Sequence, residues 1–410
     1  MRGVKEGRIG LNSAVFQEQM AQCLNCRACE AVCPSGVRYG VMLEACRAQI
    51  EQGRELAEVM SIGVAPDELL PRPWWQRVLR WVVFRRLFAD MTWFRRFSGL
   101  LALYQRSGIQ RLVRAIPLLK KFGMGDLNDL EALLPPMSRP FTTPQGQVYP
   151  AIGERRYTVA LLTGCIMSTA FAHVHEATIR VLQHNGCEVV LPPHQGCCGA
   201  LHVHSGDLEG GRALARHNIA AFRAAAGEGQ SRPFDAIIVN AAGCGSTLKE
   251  YGELLADDPE WHDEAVAFAQ QVQDIHEFLC AIEINRATLG SLPHTVTYQD
   301  ACHLAHAQRI RVQPRDLLRA IPGLEVREMQ ESAVCCGSAG VYNITQPEMA
   351  QRLGQRKIRH ALATGATIIA TTNPGCAVQM AGELRKQGQA VEVRYVVELL
   401  DEAYQAYRRG

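Results

Sequence analysis

Residues 157–165 read YTVALLTGC, 184–200 HNGCEVVLPPHQGCCGA and 234–246 FDAIIVNAAGCGS; further on, 294–302 read HTVTYQDAC, 322–340 PGLEVREMQESAVCCGSAG and 366–376 ATIIATTNPGC. The second set repeats the first: a single Cys, then Cys-Cys-Gly, then a last Cys after another apolar run. Such self-similarity marks units of common ancestry, here residues 156–275 and 293–410. Within them, short β-branched runs (Tyr157 to Leu162, Val189 to Leu191, Ala236 to Val239) alternate with longer helical patterns, which predicts α/β units with parallel sheets. The stretch Ser168 to His184 has helical periodicity and stops at Asn185-Gly186, a favourable C-terminal cap. Pro347 to Ala363 reads as a helix closing before Gly365. All three Cys sites of each copy, the single Cys, the Cys-Cys pair and the last Cys, fall just after a predicted strand. The thiols should therefore gather at one edge of each sheet, where open α/β sheets hold ligands.

The chain has 410 residues, 47% hydrophobic and 20% charged, which fits two or three globular domains and excludes wholesale disorder. A net charge of +2 gives no reason to expect a nucleic-acid partner. The first twenty residues lack a secretory pattern, and no uncharged apolar run reaches the ~18 residues that cross a bilayer. Both features point to the cytosol, where the 15 cysteines serve metal binding more readily than disulfides.

Ahead of the repeats, residues 15–60 look helical and hold the densest cysteine cluster. Cys23, Cys26, Cys29 and Cys33, followed by Pro34, have the spacing C-x2-C-x2-C-x3-C-P. That spacing wraps three thiolates around one iron–sulfur cluster while the fourth reaches towards a neighbouring one. Residues 1–60 are thus expected to form a small, helical, partial ferredoxin-like domain for a 4Fe-4S cluster. A paired motif is needed to complete the ligand set, and the sequence contains none. Cys33 folding back, Cys46 as fourth ligand, or a motif upstream of Met1 would each resolve this, and the last is the favoured expectation. The repeats offer further sets: Cys165, Cys197, Cys198 and Cys244, then Cys302, Cys335, Cys336 and Cys376. Four thiols suit an iron–sulfur cluster, and zinc is the rival. Adjacent cysteines in an extended strand face opposite ways, so a bent backbone or an unusual cluster shape is implied. Gly199 and Gly337 remove the Cβ where the chain must turn beside a ligand.

Residues 61–155 read as a basic amphipathic helical linker. Its 72–121 stretch carries 12 Lys/Arg against the single acid Asp90, a local charge of 12 − 1 = +11, and Trp74, Trp75, Trp81 and Trp93. Lying on an anionic membrane surface, docking a partner subunit and bridging the chain's own domains are all open uses. Cys46, Cys187 and Cys280 lie outside the motifs and are expected to be small buried apolar residues. His202, His204, His303 and His306 are expected to hydrogen-bond near the sheet edges, where a ring N–H also tunes a neighbouring cluster.

The combination of CLNCRACEAVCPSGVRY, HQGCCGALHVHSGD, AAGCGSTLKEYG, ACHLAHAQ, CCGSAGVYNITQPEMA and TTNPGC resembles the iron–sulfur subunits of bacterial glycolate oxidase. The CCG repeats are shared more widely, with heterodisulfide reductase, anaerobic glycerol-3-phosphate dehydrogenase and lactate-utilisation subunits. The resemblance implies an electron-transfer chain drawing electrons from a separate flavin subunit that oxidises glycolate or a similar 2-hydroxy acid; the expected destination is a quinone-like acceptor, with the chain cytoplasmic or peripheral to the inner face of the membrane. It also implies two C-x2-C-x2-C-x3-C-P motifs, where this sequence has one, and CCG repeats closing with C-x2-C. Here Cys244 is followed by Gly-Ser-Thr247 and Cys376 by Ala-Val-Gln379, so each repeat has one ligand fewer than that pattern. No Gly-x-Gly-x-x-Gly follows a strand, and no Walker or Gly-x-Ser-x-Gly motif occurs, so hydride chemistry is expected on another polypeptide. A disulfide reductase working at Cys197-Cys198 or Cys335-Cys336, and a non-redox assembly scaffold, are the rival functions.

Overall fold

The computed structural model describes residues 1–11, 13–60, 74–115, 131, 134–227 and 234–409. Two parallel α/β sheets dominate it, as the alternation of runs predicts. The first sheet orders its strands β1-β3-β2-β4-β5, with β1 Val148–Tyr149, β2 Tyr157–Leu161, β3 Cys187–Val190, β4 Ala236–Val239 and β5 Val272–Asp274. Only β1 runs antiparallel to its neighbour. The second sheet orders β7-β6-β8-β9, all parallel, with β6 Thr295–Tyr298, β7 Glu325–Arg327, β8 Ile368–Thr371 and β9 Glu392–Tyr395. In each sheet the first strand of the repeat, β2 or β6, lies between the next two. The chain therefore leaves it once to either side, which opens a crevice at the carboxyl ends of the strands.

Helices cover both faces of the sheets, so the strands read as continuous apolar runs rather than alternating ones. Pleating still sorts them. Val159, Leu161, Ala236 and Ile238 join a core that also takes Val296, Tyr298, Ile368 and Ala370 of the second sheet. The intervening Ala160, Ile237 and Val239 turn to the outer face of the first sheet, against Leu214, Ile219 and Phe222. The repeats thus share one interior and do not float on a linker. Helix Ala172–His184 lies along helix Val396–Arg409 at this junction. Arg180 holds Asp401 through bonds of 2.8–3.2 Å, and Tyr404 stacks on His184 at 4.8 Å and accepts from Asn185 Nδ2 at 3.0 Å.

The predicted helix from Ser168 starts later, at Ala172. Ser168 Oγ donates to the Cys165 carbonyl at 2.7 Å and Thr169 Oγ1 to that of Ile166 at 3.4 Å. Hydroxyls returning to nearby carbonyls compete with the helical ladder, which keeps the segment after Cys165 in turns. The helix over Pro347–Leu362 matches its expected span closely.

The N-terminal region is helical, with Ala14–Gln22, Ala28–Ala31 and Tyr39–Met60 separated by the cysteine loops. In the linker, helix Trp74–Trp81 continues into a wider π turn, Val82–Leu87, followed by Met91–Arg106 and Ile109–Ala115. Asp90 caps Met91–Arg106, accepting from Thr92 N at 2.7 Å and Trp93 N at 3.4 Å. Met91 and Phe94 pack on the outer core of the first repeat. Part of the basic stretch, residues 72, 73 and 116–121, lies outside the described residues. Among the described residues no helix is long and apolar enough to cross a membrane.

Candidate metal centre

In each repeat the four thiols come together at the crevice. Cys165 follows β2, Cys197 and Cys198 follow β3, and Cys244 lies in the first turn of the helix after β4. Cys165 and Cys197 sulfurs are 3.5 Å apart; Cys198 lies within bonding reach of both Cys197 and Cys244. The second repeat reproduces this row, Cys302 to Cys335 to Cys336 to Cys376. The bent backbone that adjacent cysteines demand is present. Gly199 and Gly337 have φ of +82° and +91°, and a Cβ built on Gly337 would lie 2.5 Å from the Ala350 carbonyl oxygen. Only glycine fits there.

Backbone N–H groups point at these sulfurs: Ile166 at Cys165, Gly199 at Cys197, His303 at Cys302, Gly337 at Cys335 and Ser338 at Cys336. In the first row the S–H groups of Cys165 and Cys198 hold Cys197 well below the ordinary thiol range, while its neighbours are pushed up. Neutral buried thiols need no ring of donors; anionic sulfur does. The donor set therefore fits a thiolate-bound centre. Among the described residues no three His, Cys, Asp or Glu side chains converge on one point where a single ion would sit.

The N-terminal motif docks at the junction of the two repeats, a placement that its spacing does not reveal. Cys26 has Cys23, Cys29 and Cys302 as charge neighbours, so this loop faces the second row. Tyr342 lies beside both Cys23 and Cys335 and donates through its hydroxyl to the Gln22 carbonyl at 3.1 Å. Tyr39 hydrogen-bonds Cys23, and Arg47 donates to the Cys23 carbonyl at 2.6 Å. Cys33 follows the short helix Ala28–Ala31 and is half-buried. Cys46 instead packs against Phe16 and Ile50, so it is not placed as the motif's fourth ligand.

The loop is pinned by Arg27, which sits between two of its cysteines. Asn25 and Arg27 adopt left-handed φ of 52° and 58°, a strained conformation that surrounding contacts must enforce. Arg27 bonds both carboxylate oxygens of Glu250, one at 2.9 Å, and approaches Glu44 at 3.4 Å. Burial opposes its charge, yet Glu250, Glu44 and Glu30 outweigh that and raise its pKa. Glu44 is likewise buried, but bonds from His204 and Asn25 and the charge of Arg27 bring its pKa down to about 2. Sequence reasoning passed over Arg27, Glu44 and Glu250, because nothing local distinguishes them from solvated charges.

The four histidines behave as hydrogen-bonding residues. His202 Nε2 donates to the Phe84 carbonyl at 2.9 Å, joining the basic linker to the first row, and His204 Nδ1 donates to Glu44 at 2.8 Å. His303 Nε2 donates to the Asn25 carbonyl at 2.9 Å while its Nδ1 accepts from Ser246 at 2.9 Å. Burial among His204 and Arg27 lowers the His303 pKa to about 3, which keeps it neutral for this role. His306 Nε2 donates to the Ala333 carbonyl at 3.0 Å. Cys187 is buried in β3 and burial raises its pKa to about 12; Cys280 is half-buried and its sulfur bonds the Gln313 carbonyl at 3.7 Å. Neither joins a row.

Sequence comparison accords with this arrangement. The family described as "Cysteine-rich domain" matches residues 159–249 and 296–381, and "Glycolate oxidase iron-sulfur subunit, linker region" matches residues 75–134. The "Probable glycolate oxidase iron-sulfur subunit" of Bacillus subtilis is 40% identical over 408 residues, covering 98% of this chain and 86% of that protein. The "Glycolate oxidase iron-sulfur subunit" of Escherichia coli is 30% identical over 391 residues, 94% and 82% of the two chains. "Lactate utilization protein A" of Shouchella clausii is 29% identical over 244 residues, 59% of this chain and 98% of that one. With the paired cysteine rows, the basic linker and the N-terminal motif all aligned in one chain, this protein belongs to the family of glycolate oxidase iron–sulfur subunits.

Proposed function

We propose that this chain is the electron-transfer subunit of a complex oxidising glycolate or a similar 2-hydroxy acid. Cys23, Cys26, Cys29 and Cys33 would hold one iron–sulfur cluster, of the 4Fe-4S type. The Cys165, Cys197, Cys198, Cys244 row and the Cys302, Cys335, Cys336, Cys376 row would each hold a further centre. When bound, such clusters take up and release one electron at a time. The carrying observation is the gathering of two largely buried thiol rows and a ferredoxin-type loop at one junction, with Cys302 among the charge neighbours of Cys26. The repeats exclude water from the sulfurs, the N–H groups stabilise negative charge on them, and Tyr39, Arg47 and Tyr342 fasten the N-terminal loop.

Removing hydride from a hydroxy acid requires an organic acceptor such as flavin, which a partner subunit would supply. Downstream, Trp74, Leu79, Trp93, Phe97, Leu100 and Leu103 are exposed among the arginines of the linker. That surface fits the anionic face of a membrane, where a quinone-like acceptor would collect the electrons. Disulfide reductase activity is disfavoured by burial, since Cys197, Cys198, Cys335 and Cys336 are 1–5% exposed.

The test is iron and acid-labile sulfide analysis of anaerobically purified protein, with co-purification of a flavoprotein that reduces dyes on glycolate. Iron and sulfide in equal amounts are expected. Zinc without iron would overturn the cluster assignment, and dye reduction on lactate or glycerol-3-phosphate alone would reassign the substrate.

A further inference from the structure

The two thiol rows are alike, but the residues behind them differ in charge. A Cβ on Gly199 would meet Gly211 and Leu214; one on Gly337 would meet Ala350 and Leu353. The helices Leu208–Ala226 and Pro347–Leu362 therefore pass behind their rows in the same register, Gly211 corresponding to Ala350. Two helical turns on, Asn218 corresponds to Lys357. Asn218 is fully buried and neutral: its Nδ2 donates to the Cys197 carbonyl at 2.8 Å and its Oδ1 accepts from Gly196 N at 2.8 Å. Lys357 is 3% exposed, and its Nζ donates to the carbonyls of Glu331 at 2.7 Å and Ser332 at 3.0 Å.

Both bonds from Lys357 Nζ go to neutral carbonyls, and burial lowers its pKa against the opposing charge of groups nearby. Its charge neighbours are Cys336, Cys376, Cys335 and Asp300. Asp300 is already held by both Arg315 Nη atoms at 2.7 and 2.8 Å, and the Glu331 carboxylate by Arg356 and His360. A desolvated ammonium is costly unless anionic charge balances it, and here the thiolate row is the anion within reach. The first row has no such cation at the corresponding position.

We propose that Lys357 is a charge-positioning residue that makes the second-repeat centre a better electron acceptor than the first-repeat centre, an inference that rests on the cluster-binding reading above. One electron leaves the N-terminal centre, which is oxidised, and enters the second-repeat centre beside Cys302, which is reduced; no bond forms or breaks and no proton moves. Lys357 stabilises the charge gained. The second row then serves as the relay's resting place, and the first row as a centre of lower potential.

The test is a dithionite potentiometric titration of the full chain with its clusters, followed by electron paramagnetic resonance. Wild type, Lys357→Met, Lys357→Gln and Lys357→Arg are compared. Removing the charge is expected to lower the reduced-to-oxidised ratio of one centre about ten-fold or more at a fixed potential, a midpoint lower by about 59 mV for a one-electron couple. The other centres stay put, and Lys357→Arg restores the midpoint. Lys357→Gln keeps a donor for the carbonyls and stands in if Lys357→Met does not fold. Full iron content with every reduced-to-oxidised ratio at that potential within two-fold of wild type would overturn this inference alone. Wild-type protein without iron would overturn the cluster reading, and this inference with it.

Discussion

Replacing Glu250 by Gln, alone and combined with Arg27→Met, measures how firmly the ferredoxin-type loop is held on the first repeat. The Arg27 side chain is 3% exposed and that of Glu250 25%. Two unit charges about 4 Å apart interact by about 4 kcal/mol at an effective dielectric of about 20. The partial exposure of Glu250 admits solvent screening and lowers this to about 2 kcal/mol. Glu250→Gln leaves Arg27 with Glu44 at 3.4 Å, so the guanidinium is not stranded. Arg27→Met keeps the apolar stem while Glu44 retains His204 and Asn25. The double-mutant cycle should then return a coupling of about 2 kcal/mol, roughly a thirty-fold change in loop opening. Hydrogen–deuterium exchange at residues 23–33 of the anaerobic protein reads that opening directly. A coupling under about 0.5 kcal/mol would refute the claim that this ion pair docks the motif.

Glu44 supplies an acid-sensitive counterpart. Its folded pKa of about 2 lies below the ordinary 4.5, so its contribution is fully present above pH ~4.5 and is lost as pH falls towards 2, roughly 3 kcal/mol in all. Glu44→Gln should flatten acid-induced exposure of the loop over that window, and an unchanged acid profile would contradict it. Gly337→Ala should lower the melting temperature more than Gly199→Ala, because the added Cβ meets the Ala350 carbonyl oxygen at 2.5 Å in the first case and Gly211 at 3.4 Å in the second. Left-handed backbone alone costs each variant about 1–2 kcal/mol, so equal melting shifts would show that the close approach is unimportant. Cys336→Ala should reduce bound iron, whereas Cys187→Ala and Cys280→Ala should leave it intact; iron loss in either of the latter would show that the ligand sets are misassigned.

Local patterns carried much of this molecule. The β-branched runs at Tyr157, Val189 and Ala236, the Cys-Cys-Gly turns and the helix from Pro347 are all legible, because strand burial, glycine turns and helical periodicity are written in residues a few positions apart. The repeat made the gathering of the thiols at a sheet edge readable too, since strand order and crossover follow from βαβ connection. The helix Ala172–His184 starts later than its periodicity predicts, because Ser168 and Thr169 fit that periodicity until their hydroxyls find carbonyls.

Other features had no local trace. Arg27 and Glu250 are 223 positions apart, and each looks like an ordinary surface charge until the fold buries one against the other. Lys357 occupies a helical position like many exposed lysines, and its meaning depends on which side of the helix faces the cysteines. The docking of the N-terminal loop against the second row likewise arises from long-range packing. Spacing and periodicity report what neighbouring residues can form; which charge faces which sulfur is set by surfaces that meet only after the two sheets have joined around one core.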